Sequence, residues 1–339
     1  MFLYLICENP LNPCHPRAIA SSKMGGKMSL KNYVRTNVYN ISPYVPGKPI
    51  EELERELGIK NIDKLASNEN PLGPSPMALR AVKKALSKIS LYPDGNCYYL
   101  KQRLAEKFNL KIENFIIGNG SNDVIEIIFK TFLNPEDEII IAEQTFVVYE
   151  LIAKMLNLNY IKVPLKNYTY DLDAMLAKIN KKTKIIFLCN PNNPTGTIFT
   201  DKDFEKFMSK ISDNIIVVVD EAYIEYVTAK DFPDSLEYLK AGRNMIILRT
   251  FSKLYGLAGL RIGYGITNSI FVSNMDKARQ PFNVNSLAQT AALAAIDDER
   301  HVNRSLKTNK IGMKFLTKEF KRLKLDYIPS HANFILAHV

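Results

Sequence analysis

Six short apolar runs, rich in β-branched residues, fall near residues 114–117, 138–142, 184–189, 215–219, 245–249 and 262–266. Between them lie helical patterns near 121–132, 145–157, 171–179, 201–211 and 268–279. A continuous apolar run of strand length has no polar face to show to water, so it belongs in a sheet covered on both sides. Alternation with crossover-length helices therefore predicts an α/β fold with a mostly parallel sheet between helical layers. Two longer helical patterns follow, Asn285 to Asp297 and Arg300 to Leu323, and then Leu325 to Tyr327 and Asn333 to Leu336 read as short strands. A chain of 339 residues can hold two domains. The expected division is an irregular extension over 1–28, an arm and part of a small domain over 29–72, a large domain over 73–280, and a connecting helix with the rest of the small domain over 281–339.

In open α/β sheets ligands gather at the carboxyl ends of the strands, and the residues there carry distinctive chemistry. The run Met245 to Leu248 leads into Arg249-Thr250-Phe251-Ser252-Lys253, followed by Gly256, Gly259 and Arg261. This is a lysine among hydroxyls with a fixed positive charge eight residues on. The combination suits a phosphate-bearing aldehyde held by an amine, which describes pyridoxal phosphate. The run Ile215 to Val219 ends in Asp220-Glu221-Ala222-Tyr223. An acid at a buried strand end either caps the next segment or faces a cation such as a protonated ring nitrogen. After Ile185 to Cys189 comes Asn190-Pro191-Asn192-Asn193-Pro194-Thr195-Gly196, a fixed turn from which Asn193 offers an amide to a phenolic oxygen. Phe115 to Ile117 runs into Gly118-Asn119-Gly120-Ser121-Asn122, glycines that let helix-start amides approach an anion. Phe146, after the next strand, either fills the core or stacks on an aromatic ligand.

The order of these features resembles the fold-type I aminotransferases. More narrowly, Lys64 to Gly73, Tyr92-Pro93-Asp94-Gly95 and Gly256 to Arg261 are similar to the histidinol-phosphate aminotransferase family. The likeness extends from about Tyr44 to Leu336. It implies a mostly parallel, seven-stranded-type sheet and a ping-pong transamination between histidinol phosphate and 2-oxoglutarate, giving imidazole acetol phosphate and glutamate in histidine biosynthesis. It also implies pyridoxal 5'-phosphate, with a Schiff base at Lys253, a ring-nitrogen partner at Asp220 and ring-oxygen contacts from Asn193 and Tyr223. The phosphate would be gripped by Ser121, Asn122, Thr250 or Ser252, and Arg261, with Tyr92 reaching across from the neighbouring subunit of a homodimer. Tyr44 and Asn70 would face the substrate. Family members continue for a few tens of residues past the point matching Val339, with the arginines that hold the substrate's polar end. On that comparison the chain reads as truncated, with candidates such as Arg279 left near the site. An aromatic amino acid aminotransferase, a decarboxylase of phosphorylated threonine and a catalytically silent pyridoxal-binding protein are the alternatives.

Composition narrows the field further. The net charge of +10 comes from lysines spread over helical faces such as Arg80 to Lys84 and Lys314 to Lys324, with no nucleic-acid motif among them. It suits anionic substrates better. Cys7, Cys14, Cys97 and Cys189 lack paired metal-ligand spacing, so no metal site is expected, and Cys189 in a buried run suits a reducing cytoplasm. No apolar window reaches the roughly 18 residues of a membrane helix. The apolar start Met1 to Cys7 is cut short by Glu8, Pro10 and Pro13 and lacks the leading charge of a signal peptide, with Met24 or Met28 as alternative starts.

Overall fold

The apolar runs assemble into one seven-stranded sheet. In the computed structural model, which describes residues 2–6, 33–44, 50–60 and 62–339, the strands are β1 (Phe2–Ile6), β2 (Phe115–Gly118), β3 (Glu138–Ala142), β4 (Asn159–Val163), β5 (Thr183–Cys189), β6 (Ile216–Asp220), β7 (Met245–Thr250), β8 (Gly263–Ile266), β9 (Tyr327–Ile328) and β10 (Phe334–His338). The large sheet runs β2-β8-β7-β6-β5-β3-β4. Its centre is dry: every residue of β6 is buried, and so are all but one each of β5 and β7. Strands β4, β3, β5, β6 and β7 pair in parallel, as the alternation requires.

Strand β8 runs antiparallel to both its neighbours. Between Thr250 and Gly263 there is no α-helix, only a short 3-10 turn at Ala258–Leu260, and without a crossover helix the chain folds back beside β7. Lys253 and Arg261 thus lie on one loop whose two ends are paired, Thr250 opposite Gly263. Strand β4 escapes sequence analysis because it is an edge strand, half exposed and polar at Asn159 and Lys162, so it lacks the continuous apolar signature.

A second, smaller core forms around the last elements. The long helix Glu299–Leu323 packs Phe320, Met313 and Leu316 against Ile335 and Ala337 of β10 and Tyr327 of β9. Strand β9 begins at Tyr327, two residues later than expected. β1 lies parallel to β10, so the extension expected to be irregular contains a strand. The rest of 1–28, with Cys7, Cys14, Met24 and Met28, lies outside the described residues. Asp298 joins the two cores: its carboxylate caps the long helix at His301 N, 3.1 Å away, and accepts from Ser75 Oγ at 2.6 Å. Ser75 in turn caps the helix Pro76–Ala85 through Ala78 N. Among the described residues no helix is long and apolar enough to cross a membrane.

Candidate active site

The carboxyl ends of β5, β6 and β7 open into a cleft of about 380 Å³. Its floor is Asp220, the last residue of β6 and 2% exposed. One carboxylate oxygen accepts from Tyr149 Oη at 2.8 Å and the other from Ala222 N at 3.2 Å. Burial away from water disfavours the charged form and pushes this carboxyl up to about 6, although both hydrogen bonds pull it back. Such a group has its charge restored by a cation placed over it.

Lys253 enters from the β7–β8 loop. Its Nζ donates to Ser67 O at 2.9 Å and lies 5.5 Å from the centre of the Tyr223 ring. Packing around the amine brings it down from the ordinary lysine value to about 8; Glu69 and Asp220 oppose that shift and Arg261 adds to it. An amine near neutrality is a usable nucleophile and proton carrier. Beside it, the buried Tyr223 hydroxyl receives the Asn68 amide at 3.1 Å and the Asn193 amide at 3.4 Å. The turn that presents Asn193 has cis bonds at Asn190–Pro191 and Asn193–Pro194.

At the other end the cleft becomes an anion cradle. Ser121 and Asn122 open the helix Ser121–Phe132, and Thr250, Ser252 and Arg261 line the same wall. Arg261 takes φ 55°, a left-handed conformation unusual for a side chain of its size. Its guanidinium lies against Gly120, where a Cβ would come within 2.5 Å of Nη2. A Cβ on Gly263 would sit equally close to Ser121 N. The two glycines let an arginine and a helix N-terminus share one small volume, which concentrates donors for a phosphate. Phe146 lines the cleft too, its ring edge-on to Tyr149 at 5.7 Å.

Lys253, Asp220, Tyr223, Asn193, Ser121, Asn122, Thr250, Ser252, Arg261, Phe146 and Tyr44 are therefore brought together, with Tyr44 at the exposed mouth. Asn70 is not among them. It is buried outside the cleft and its amide is bonded to Leu254 O and Ser305 Oγ, so the structure does not bring it to the cleft with the others; its neighbours Asn68 and Glu69 line the cleft. Tyr92 lies on the surface, 82% exposed and stacked on Phe282 at 4.6 Å, and does not line this chain's cleft. Arg279 is tied to Asp276 and to Gly95 O. Sequence reasoning missed Tyr149 altogether, because a tyrosine following Val147 and Val148 on a helical pattern reads as core.

The cleft has every group that a phosphorylated pyridine aldehyde requires: an amine of lowered basicity, a buried carboxylate, a phenol with amide donors and an anion cradle. Comparison with known proteins agrees. The profile of aminotransferase class I and II matches residues 60–339. Over 306 residues, 90% of this chain and 79% of the relative, the sequence is 52% identical to a histidinol-phosphate aminotransferase of Moorella thermoacetica. It is 46% identical to that of Caldicellulosiruptor saccharolyticus over 90% of this chain and 85% of the relative. The crystal structure of histidinol-phosphate aminotransferase from Sinorhizobium meliloti in complex with pyridoxal-5'-phosphate superposes with a TM-score of 0.83 at 26% identity, covering 91% of this chain and 83% of that one. Thermus thermophilus aspartate aminotransferase with maleate, 19% identical and with a TM-score of 0.79 over 89% of this chain and 84% of that one, shares the fold. With cleft, topology and sequence in agreement, the chain belongs to the class I and II aminotransferases.

Proposed function

We propose that this chain is a pyridoxal-phosphate-dependent histidinol-phosphate transaminase, interconverting histidinol phosphate and 2-oxoglutarate with imidazole acetol phosphate and glutamate in histidine biosynthesis. The observation that carries the reading is the single cleft with Lys253 and Asp220 at one end and the Ser121, Ser252 and Arg261 cradle at the other. Bound pyridoxal phosphate supplies an aldehyde for an amine and a protonated ring that withdraws electrons from the substrate carbon. Arg261, Ser121, Asn122, Thr250 and Ser252 would hold its phosphate. Asp220, fixed by Tyr149, would keep the ring nitrogen protonated; that cation in turn keeps Asp220 ionised. Tyr223 and Asn193 would meet the ring oxygen, and Phe146 would cover the ring face. Lys253 would hold the cofactor through its amine and, as a free base, would carry the proton to and from the substrate carbon, a role for which an amine near pKa 8 is suited.

The same reading places Tyr44 toward the substrate's far end, makes the enzyme a cytoplasmic homodimer, and has the exposed Tyr92 enter the neighbour's cleft. The test is turnover by the purified chain with pyridoxal phosphate, histidinol phosphate and 2-oxoglutarate, followed as glutamate formed. Preference for phenylalanine or tyrosine as donor would move the assignment to an aromatic aminotransferase. Release of carbon dioxide from phosphothreonine would make it a decarboxylase, and cofactor binding without turnover of any of these would refute catalysis.

A further inference from the structure

We propose that Asn70 is a positioning residue for Lys253, and that the segment from Ser67 to Gly73 is a strap tying the lysine loop to the long helix Glu299–Leu323. The inference rests on the reading above, in which Lys253 is the acting amine.

Three attachments hold the strap to the loop. Ser67 O accepts from Lys253 Nζ itself. Asn70 Nδ2 donates to Leu254 O, the carbonyl next to the lysine, at 2.7 Å. Gly256, at φ 68°, lies so close to the Gly73 carbonyl that a Cβ there would collide with its oxygen. Asn70 also looks the other way. Its second amide hydrogen goes to Ser305 Oγ at 2.9 Å, on the long helix, and its own oxygen accepts from Leu72 N at 3.0 Å. Ser305 is buried and stands 3.4 Å from His301 Nε2.

Only an amide fits this position. It must donate twice, to a carbonyl and to a hydroxyl, and accept once, from a backbone N–H. A carboxylate would set negative charge against the Leu254 carbonyl, and an apolar side chain would leave that buried carbonyl without a partner. The loop has its own supports, with backbone bonds from Gly256 N to Lys253 O, Leu257 N to Phe251 O and Leu260 N to Leu257 O and with Phe251, Leu254, Tyr255 and Leu257 buried. The strap adds attachments at the lysine amine and at the carbonyl beside it. The strap therefore helps hold the lysine stem beside Tyr223 and the amine among Glu69, Asp220 and Arg261.

The consequence can be read in cofactor-free protein. Loosening the strap lets the Lys253 amine move further into water, and its titration midpoint should then rise toward the ordinary lysine value, because the packing that lowers it is relaxed. The variants are Asn70→Asp, which keeps the shape but loses both donors, Ser305→Ala, which removes the anchor on the helix, and Ser305→Thr, which retains a hydroxyl. Lys253 is labelled with acetic anhydride across a pH series and quantified by peptide mass spectrometry. Kinetics with histidinol phosphate are measured alongside. Expected are a midpoint raised by about 0.5 pH unit or more in Ser305→Ala and more in Asn70→Asp, with Ser305→Thr close to wild type. Turnover in Asn70→Asp should fall about tenfold with KM changed little, as for loss of one buried hydrogen bond near the chemistry. Unchanged midpoints in Ser305→Ala and Asn70→Asp would overturn the proposal; if Asn70→Asp fails to fold, Ser305→Ala decides alone. Because the labelling needs neither cofactor nor turnover, failure of the wild type to act on histidinol phosphate would count against the proposed substrate and leave this result to be judged separately.

Discussion

The floor of the cleft hangs on the ends of β5, β6 and β7, where Cys189, Asp220 and Thr250 are at most 5% exposed, whereas its mouth is made by Tyr44, 64% exposed, and by Glu69, which forms an ion pair with Lys64 at 3.0 Å. Floor residues are fixed by strands that cannot shift without disturbing the whole sheet. Mouth residues are fixed by irregular backbone and by partners in contact with water. On the proposed function, the difference separates the parts of the reaction: groups that would hold a ring and move protons are on the rigid side, and groups that would meet varying substrates are on the side able to adjust.

If this division is real, substitutions should grow weaker from floor to mouth. Lys253→Ala removes both the attachment and the proton carrier, so turnover should fall by about 10⁴-fold or more, with KM a poor guide. Borohydride reduction of the loaded wild type followed by peptide mapping should mark Lys253; label on another lysine would break the assignment. Asp220→Asn should retain cofactor while losing roughly 10²–10³-fold in kcat, the scale of one preorganised charge. Near-normal turnover would reduce Asp220 to a cap for Ala222.

The same substitution should act oppositely on stability. A carboxyl raised from 3.8 to about 6 by folding binds its proton more tightly folded than unfolded. Stability therefore falls as pH rises from about 4 to 6, and the penalty is fully present above 6. Cofactor-free Asp220→Asn should unfold at higher temperature than wild type at pH 7.5, by an amount of order 2–3 kcal/mol, with the gap closing near pH 4. Thermal melts at the two pH values check this. A gap that persists at pH 4 would point to packing instead of charge.

Tyr149→Phe leaves the charge but removes its hydrogen bond at 2.8 Å. Since that bond lowers the Asp220 value, the acid limb of kcat should move to higher pH, and kcat at its plateau should fall about tenfold or more. At the mouth, Lys64→Ala breaks a partly exposed pair worth at most about 1 kcal/mol and should change KM and melting temperature only slightly. A large loss there would mean that the mouth is as rigid as the floor.

How well the sequence predicts each side follows the same line. Asp220 is readable because it ends a continuous apolar run, and Lys253 because it follows one closely among hydroxyls and before a glycine turn; a polar residue just past a buried strand has few places to point. Gly120 and Arg261 follow from the same logic, although their close approach needs coordinates. At the mouth the backbone gives no period to read. Ser67 and Asn68 take φ of 75° and 52°, so nothing in Ser67-Asn68-Glu69-Asn70 says which side chains face inward, and sequence analysis selects Asn70 where the structure presents Asn68 and Glu69. Tyr149 is hidden for another reason: its partner lies 71 positions away, and local pattern carries no information on such pairs. The edge strand β4 is missed because half its surface meets water.

The turn from β7 back along β8 has a mechanical consequence. Lys253 and Arg261, which would take the two ends of the cofactor, ride on one short loop clamped at its base by the Thr250 and Gly263 pairing. The span between them behaves like a caliper set by a single piece of chain and steadied from the long helix through Asn70 and Ser305. The amine and the phosphate cradle would therefore keep their spacing whichever substrate occupies the mouth, because both are set by the same stretch of chain.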